Sequence, residues 1–201
     1  MGVGKIDAKG GFFDRDGTIN NLVYNPLTQA YESPHRVNDF SLMPKVIDSL
    51  KSIQSNGFML FLVSNQPSYA KGKTSLEEIK AIHSHFDDMM RRQGIKFREY
   101  YYCYHHPEGT VAEYTRRCEC RKPKPFFLLK AAKDYSLDMN ASWMIGDQDF
   151  DILCGQAAGV KTILLNNILS AHKRVSSTPD FFAADLSGAV QIVLSTINLG
   201  G

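Results

Sequence analysis

Two carboxylates, Asp14 and Asp16, stand two residues apart near the start of the chain. They follow a short apolar run that ends at Phe13 and predicts a buried strand, and Gly17 marks a turn just past its carboxyl end. Asp14 could act as a nucleophile, because carboxylates form aspartyl-phosphates in phosphoryl-transfer enzymes. Asp16 could give a proton to the leaving oxygen and later take one from water. Mg²⁺ suits such carboxylate and carbonyl ligands, although a strand with an acidic turn is the alternative interpretation.

A second acidic stretch, residues 146–151, follows another short apolar run. Asp147 stands directly after this predicted strand, where it could complete a metal site with Asp14 and the backbone carbonyl of Asp16. Asp151 comes four residues later, about one helical turn on, where it could orient a metal-bound water or a neighbouring lysine.

Polar side chains also follow the continuous apolar run 58–63, which predicts a strand buried on both faces of a parallel sheet. Ser64 stands at the carboxyl end of this run, where a hydroxyl is well placed to hydrogen-bond a phosphate oxygen. The amides of Asn65 and Gln66 come next and are candidate substrate contacts. Taken alone, a polar cap on the strand explains these three residues equally well.

Three cysteines and a histidine form another set of candidate ligands: Cys103, Cys118 and Cys120, with His105 or His106. Three thiolates and an imidazole are the ligands that a tetrahedral structural Zn²⁺ prefers, and a full set leaves no open position for chemistry. A zinc ion here would pin both ends of the loop 106–117. Spacing alone does not choose between the two histidines, and free cysteines in a loop are the alternative.

A basic run, residues 121–125, follows the last of these cysteines. A cation is needed beside Asp14 to balance crowded carboxylate and phosphate charges, and lysine is the usual point-charge binder of phosphate while arginine grips it in a bidentate way. Arg121 and Lys122 are therefore candidates for contact with a phosphorylated substrate. A basic run is more often a solvated surface, which is the interpretation for Lys124.

The candidate residues follow predicted strands, and helical patterns alternate with those strands. This alternation predicts an α/β fold, a Rossmann-like doubly wound parallel sheet with its site at the topological switch point. Residues 20–40 are predicted to be a loop too short to form a separate cap domain, and residues 1–10 a leader into the first strand.

Further strands are predicted at 100–104, 143–145, 161–165 and 179–183. Helices are predicted after Pro44, over 75–93, around 127–135, up to Gly159, and over 186–197. Asp149 is interpreted as an acid at a helix start, where the helix dipole favours it. No catalytic pattern stands out beyond residue 165.

Composition sets the wider limits. The chain has 201 residues, 43% hydrophobic and 22% charged, so one domain over residues 1–201 is expected. A formal charge of +2 is too small to argue for nucleic acid as a partner. No apolar run reaches the length of a membrane span and the N-terminus lacks an apolar signal region, so a cytoplasmic protein without a membrane partner is expected. A monomer is the default expectation for a domain of this size.

The motifs together resemble the haloacid dehalogenase superfamily of phosphatases, whose first motif is D-x-D-x-T. Residues 13–20 carry that motif in the form typical of the branch that acts on heptose bisphosphates and histidinol phosphate, and residues 146–151 match the fourth motif, G-D-x-x-x-D. By this resemblance, Ser64 binds the transferring phosphoryl group and Lys122 is the cation of the third motif. The resemblance also makes His105, the first of its pair, the zinc ligand.

The resemblance implies a capless, Mg²⁺-dependent phosphatase that works through an aspartyl-phosphate and carries a zinc-pinned loop. The expected substrate is a small phosphorylated metabolite, first the C7 phosphate of D-glycero-D-manno-heptose 1,7-bisphosphate, with histidinol phosphate as the alternative. Arg121 would reach the second phosphate. Two departures bear on substrate contacts: Gln148 stands where the heptose enzymes commonly have lysine, and residues 66–72 replace a Ser-Gly-containing loop that ends in Arg-Gly.

A rival interpretation from another class is a zinc-knuckle module that binds nucleic acid. It requires basic residues interleaved with exposed aromatic residues around the zinc loop, and Tyr102, Tyr104, Tyr114, Arg116 and Arg117 partly fit. It leaves the aspartates of both acidic motifs unexplained, so the phosphatase is the favoured interpretation.

Overall fold

A computed structural model describes residues 8–198 of the protein. Its strands are β1 (Ala8–Phe13), β2 (Val23–Asn25), β3 (Ala30–Glu32), β4 (Phe58–Asn65), β5 (Phe97–Cys103), β6 (Leu137–Gly146), β7 (Lys161–Leu165) and β8 (Phe181–Ala183). Its α-helices are α1 (Val46–Ser55), α2 (Leu76–Arg92), α3 (Phe126–Tyr135), α4 (Asp149–Ala158) and α5 (Leu186–Asn198).

Six of the strands form one parallel sheet in the order β5-β4-β1-β6-β7-β8. β1 lies in the middle, where Phe13 pairs with Leu62 of β4 on one side and with Ile145 of β6 on the other. The chain first adds strands on the β4 side of β1 and then reverses to add them on the β6 side. This reversal at β1 is a topological switch point, where ligand sites of open parallel sheets are found.

Helices cover both faces of the sheet because each helix buries one apolar side. α1, α2 and α5 pack on one face through residues such as Leu50, Phe86 and Val193, and α3 and α4 pack on the other through residues such as Leu128 and Cys154. The strands between them are apolar on both sides, as expected for a sheet covered on both faces. The predicted doubly wound α/β fold is confirmed.

Several predicted boundaries differ from those observed. The 20–40 segment is not a plain loop, because it contains the antiparallel hairpin β2–β3, in which Tyr24 pairs with Tyr31. β5 begins at Phe97 rather than at 100 and ends at Cys103, and β6 extends back to Leu137 rather than starting at 143.

At the N-terminus, the described part of the predicted leader is already strand from Ala8 onward, and residues 1–7 lie outside the described residues. Across residues 8–198, no helix combines the length and the apolar character that a membrane crossing requires.

Candidate active site

A cavity of about 580 Å³ opens at the carboxyl ends of β1, β4 and β6. Most of the predicted catalytic and substrate-contacting residues line it, as do several residues that the sequence did not single out. The predicted ones are Asp14, Asp16, Asn65, Arg121, Lys122, Gln148 and Asp151. The structure thus brings the end of β1, the end of β4, the basic run and the second acidic motif to one place, as parallel strands require.

The acidic cluster (Asp14, Asp147 and Asp151) lies at this cavity: Asp14 and Asp151 line it, and Asp147 lies beside them. All three residues are buried, and each offers a carboxylate oxygen within 4.8 Å of the others. Backbone pairing fixes the first of them, because the N–H of Asp14 donates to the carbonyl of Ile145 on β6 at 3.0 Å. Three acids are thereby held together away from bulk water, an arrangement that needs compensating positive charge.

Lys122 supplies part of that charge. Its Nζ lies 2.7 Å from Asp14 Oδ1 and 2.6 Å from Asp151 Oδ1, and it also donates to the carbonyl of Val63 at 2.7 Å. Burial opposes a charged lysine, but Asp14 and Asp151 raise the pKa of Lys122 above its usual value. Burial raises the pKa of Asp14 to about 6, with Lys122 acting in the opposite direction.

Asp147 is the least compensated member of the acidic cluster. Both of its carboxylate oxygens are buried without a hydrogen-bond partner among the described residues, and burial together with the charge of Asp14 raises its pKa well above the usual value. Gly17 faces this carboxylate with φ of 87°, and a Cβ there would lie 2.3 Å from Asp147 Oδ2. Unpartnered carboxylate oxygens beside two further acids fit a hard divalent cation.

Asp16 is held differently. Arg15 donates to Asp16 Oδ1 from Nε at 3.1 Å and from Nη2 at 2.9 Å, and Nη2 also lies 3.1 Å from Oδ2. The amides of Asn20 and Gln66 donate to Oδ1 at 3.0 Å and to Oδ2 at 2.6 Å, respectively. Both oxygens of Asp16 are therefore oriented by nitrogen donors, in contrast to those of Asp147.

Ser64 and Asn65 are the last two residues of β4, and Gln66 follows them. Ser64 and Gln66 are both buried and neither lines the cavity; the amide of Gln66 contacts Arg15, Asp16 and the hydroxyl of Ser64. Asn65 does line the cavity, but its amide clasps the peptide of Lys122 through two hydrogen bonds of 3.1 Å. The amide of Asn65 therefore holds the backbone of Lys122, and the amide of Gln66 holds the carboxylate of Asp16.

Gln148 and Arg121 are the other two predicted substrate contacts, and both line the cavity. The backbone N–H of Gln148 donates to Asp151 Oδ2 at 3.0 Å, which fixes the entry to α4. Arg121 donates from Nη1 to the carbonyl of His105 at 3.3 Å. Arg121 thus connects the cavity to the neighbouring cysteine-containing loop.

The segment 167–177, in which the sequence showed no catalytic pattern, forms another wall of the site. The side chain of Asn167 donates to the carbonyl of Gly17 at 2.9 Å, and the hydroxyl of Ser170 donates to the carbonyl of Asp147 at 3.2 Å. His172 and Lys173 from this segment line the cavity. The sequence signal in this segment was the basic run 172–174, and basic runs are common on protein surfaces.

Asp149 fastens the same segment. It stands at the first residue of α4, as the helix-start interpretation requires, but its carboxylate also accepts hydrogen bonds from the segment. The donors are the backbone N–H groups of Val175 at 2.7 Å and Ser176 at 2.8 Å and the hydroxyl of Ser177 at 2.5 Å. The second acidic motif therefore holds a wall of the cavity as well as contributing to the acidic cluster.

The cysteine cluster (Cys103, His105, Cys118 and Cys120) lies beside the basic run. Cys120 Sγ lies 3.3 Å from the sulfurs of both Cys103 and Cys118, and 3.6 Å from His105 Nδ1. The sulfurs of Cys103 and Cys118 lie 3.5 Å apart. His106 is turned away, since its Nδ1 accepts from the N–H of Glu108 at 3.1 Å. The four groups could hold one metal ion, and His105 rather than His106 is the imidazole they include.

Comparisons with known proteins agree with this geometry. Residues 119–189 match the model of the HAD-hydrolase-like family. The D-glycero-beta-D-manno-heptose-1,7-bisphosphate 7-phosphatase of Yersinia pestis is 36% identical over 154 residues, 77% of this chain and 78% of that protein. The alpha-anomer 7-phosphatase of Photorhabdus laumondii is 33% identical over 154 residues, 77% of this chain and 80% of that protein.

Solved structures show the same fold. A putative HAD-like phosphatase from Mesorhizobium loti aligns with a TM-score of 0.77 at 24% identity, covering 100% of this chain and 91% of that one. The D,D-heptose 1,7-bisphosphate phosphatase from B. bronchiseptica, complexed with magnesium and phosphate, aligns with a TM-score of 0.75 at 20% identity, covering 94% and 99%.

The chain therefore belongs to the haloacid dehalogenase-like hydrolases, as its motifs implied. The relatives it matches within that family are named heptose bisphosphate phosphatases, and the prediction of a phosphatase is confirmed. Between the two classes that the sequence left open, these relatives support the phosphatase rather than the zinc-knuckle module.

Proposed function

We propose that the protein is a Mg²⁺-dependent phosphatase that removes the C7 phosphate of D-glycero-D-manno-heptose 1,7-bisphosphate through an aspartyl-phosphate on Asp14. The observation that carries the proposal is the pairing of Asp14 with the buried Lys122 at the cavity, next to the unpartnered carboxylate of Asp147. The names of the sequence relatives supply the substrate.

In the first step, Asp14 attacks phosphorus in line with the departing C7 oxygen. The bond from the Asp14 carboxylate to phosphorus forms while the bond from phosphorus to the C7 oxygen breaks, and the proton of the Asp16 carboxyl group moves to that oxygen. Lys122, fixed by Asp151 and the carbonyl of Val63, offers its charge to the transferring phosphoryl oxygens. Ser64 is the hydroxyl proposed to bind one of them.

In the second step, water attacks the phosphorus of the aspartyl-phosphate. Asp16 takes a proton from this water as the bond between phosphorus and Asp14 breaks, so both aspartates return to their starting states. Asp14 and Asp16 both line the cavity, which gives a bound phosphate monoester access to the nucleophile and to the acid. Asp16 gives up one proton in the first step and gains one in the second, so it ends the cycle in its starting protonation state.

Mg²⁺ would be held by Asp14, Asp147 and the backbone carbonyl of Asp16, with Asp151 beside it. The support is the pair of unpartnered, buried oxygens on Asp147 and the all-oxygen donor set. When bound, the ion neutralises charge on the transferring phosphoryl group. Two roles are predicted for Asp151, orienting a metal-bound water or orienting a lysine. Its contact with Lys122 favours the second role.

A structural Zn²⁺ is proposed for the cysteine cluster. A tetrahedral site with Zn–S distances of about 2.3 Å places its sulfurs about 3.8 Å apart. The observed sulfur–sulfur distances of 3.3–3.5 Å are close to this value. With four ligands filled, the ion would pin both ends of the loop 106–117, next to Arg121, without taking part in chemistry.

The second phosphate of the substrate would meet a cationic wall. Lys71, Arg121 and Lys173 line the cavity, and Arg121 is the residue proposed to bind this phosphate, with Asn65 and Gln148 nearby.

The further parts of the proposal are a monomer, a single capless domain over residues 1–201, and action on this small metabolite in the cytoplasm.

The test is phosphate release in the presence of Mg²⁺ from the β and α anomers of heptose 1,7-bisphosphate and from histidinol phosphate. Activity on a heptose anomer that is lost in Asp14→Asn supports the proposal, with Asp48→Asn, an exposed carboxylate on α1, as the matched control. Activity on histidinol phosphate alone would contradict the proposed substrate while leaving the mechanism. Equal activity of Asp14→Asn and wild type would contradict the mechanism.

A further inference from the structure

Arg15 stands between the two aspartates of the first acidic motif and is almost completely buried, with 1% of its surface exposed. A buried guanidinium is costly unless its charge is paired. Among residues 8–198, the carboxylate that forms an ion pair with it is that of Asp16. Arg15 itself is not one of the residues that line the cavity, whereas Asp16 is.

Arg15, Asp16 and Gln66 form a closed ring of hydrogen bonds. The guanidinium grips the carboxylate of Asp16 through Nε and Nη2, and Nη2 also donates to Gln66 Oε1 at 2.9 Å. Gln66 Nε2 completes the ring by donating to Asp16 Oδ2 at 2.6 Å. A planar guanidinium and a planar amide on two sides of one carboxylate fix the plane of that carboxylate and not only its position.

Within the described part of the chain, Asp16 is the anion that forms an ion pair with Arg15, and the aromatic groups around Arg15 do not compete for it. His83 stacks on Tyr102 with the ring centres 3.5 Å apart and the planes 1° from parallel, and its Nδ1 lies 3.1 Å from the hydroxyl of Tyr104. Burial first, and the charge of Arg15 second, lower the pKa of His83 to about 3, so this imidazole is neutral. Burial raises the pKa of the Tyr102 and Tyr104 hydroxyls, against the opposing effect of Arg15, so neither hydroxyl is an anion that could pair with Arg15 in place of Asp16.

We infer that Arg15 is a positioning residue for proton transfer: with Gln66, it holds the carboxyl group of Asp16 in the orientation from which Asp16 protonates the leaving oxygen. The inference rests on the proposed role of Asp16. Arg15 acts through Asp16 and does not contact the substrate. Misplacing a reacting group by about 1 Å costs about 10²-fold in rate. Loss of the ring is therefore expected to slow most those substrates whose leaving oxygen depends most on a proton from Asp16.

That need depends on the leaving group. A sugar alkoxide is a poor leaving group and requires a proton, whereas 4-nitrophenolate leaves readily without one. The experiment therefore measures kcat/KM for a series of aryl phosphates of decreasing leaving-group acidity and for a sugar phosphate, with Mg²⁺ present. The readout is the slope of log kcat/KM against leaving-group pKa. Because each slope compares substrates within one protein sample, a loss of folded protein does not change it.

The variants are Arg15→Met, Arg15→Lys, Gln66→Met and Asp16→Asn, with Arg98→Met, an exposed arginine on β5, as the matched control. Wild type and Arg98→Met are expected to show a shallow slope, and Asp16→Asn a steep one. Arg15→Met is expected to lose about 10²-fold on the sugar phosphate and less than about 3-fold on 4-nitrophenyl phosphate. Arg15→Lys and Gln66→Met should fall between the wild type and Arg15→Met.

A uniform loss on all substrates in Arg15→Met, with the slope of the wild type, would overturn the inference and leave Arg15 a purely structural role. If Arg15→Met does not fold, Gln66→Met decides the question by the same slope. A shallow slope in Asp16→Asn would overturn both the inference and the proposed role of Asp16. Failure of the wild type to release phosphate from any ester would instead contradict the proposed function itself.

Discussion

The acidic cluster lies beyond the ends of β1 and β6 and the cysteine cluster beyond the end of β5, with β4 between them, and the two clusters are built in opposite ways. The acidic cluster is wholly buried, while only Cys103 of the cysteine cluster is buried and its other members are partly exposed. The backbone N–H of Gln66, directly after β4, donates to the carbonyl of Cys103 at 2.7 Å, which ties the end of β4 to the strand that carries the cysteine cluster.

The two clusters differ in whether the protein itself compensates their charges or supplies a complete set of metal ligands. Lys122 compensates two of the three acids, and the oxygens of Asp147 have no partner among residues 8–198. The cysteine cluster offers four ligands in mutual contact, a complete set for one ion. Chemistry is therefore expected where charge is left unpaired, and stability where the ligand set is complete.

The largest effect is expected from breaking the acidic cluster at Lys122. In Lys122→Met, Asp14 and Asp151 lose their shared cation, so kcat should fall by at least ~10³-fold. The free energy of unfolding should drop by ~3–5 kcal/mol, because buried carboxylates lose their partner. Steady-state kinetics and denaturant titration measure the two effects.

Lys124→Met is the control for this change, because Lys124 is exposed and pairs with Glu119 at the surface. It should change the free energy of unfolding by less than about 1 kcal/mol. Similar losses in both lysine variants would contradict the distinction between a buried functional cation and a solvated one.

Removal of Mg²⁺ should distinguish the functions of the two clusters without any mutation. After gel filtration into metal-free buffer, activity should fall by ~10²-fold or more, because the acidic cluster binds a hard cation through few protein ligands. Zinc, held by thiolates, should stay with the protein. Activity should return with Mg²⁺ and not with Zn²⁺; restoration by zinc would reverse the assignment.

Cys118→Ser should reduce stability more than chemistry. The expected results are loss of bound zinc by elemental analysis and a lower Tm, with kcat within about 10-fold of wild type, because a closed tetrahedral site only shapes the loop. Cys154→Ala is the matched control, since Cys154 is buried on α4 outside the cluster and should leave the zinc content unchanged. Full zinc in Cys118→Ser would show that the cluster is not the metal site.

The smallest effect is expected from Lys173, a cation of the cavity wall. Lys173→Met should raise KM for a bisphosphate substrate by about two- to five-fold, the size of a partly exposed charge contact, with kcat nearly unchanged. Lys133→Met, an exposed lysine on α3, should leave KM unchanged. Equal KM values in the two variants would remove the segment 167–177 from the substrate site.

The sequence predicted the features that depend on local patterns. Apolar runs located the central strands, the motif carboxylates fell at their ends, and parallel pairing then brought Asp14, Asp147 and Lys122 together. Thiolate spacing identified the cysteine cluster, and the structure chose His105 where spacing left two histidines open.

Features that depend on side-chain direction could not be read from the sequence. Gln66 follows a strand, and only the turn after β4 decides that its amide points inward to Asp16 rather than to the cavity. Arg15 occupies the x position of the D-x-D motif, and that pattern gives no sign that its side chain is buried and paired with Asp16. The short hairpin β2–β3 has a weak pattern, because its strands have three residues each.

The most direct test of the central claim is to trap the phosphoryl group on the acidic cluster. The enzyme is mixed with heptose 1,7-bisphosphate and Mg²⁺, quenched in acid during turnover, and the peptide that contains Asp14 is analysed by mass spectrometry. One added phosphoryl group on Asp14 is predicted in wild type and in Asp48→Asn, and none in Asp14→Asn, which should release no phosphate. Continued phosphate release by Asp14→Asn, with no phosphoryl group on Asp14 in the wild type, would contradict the account.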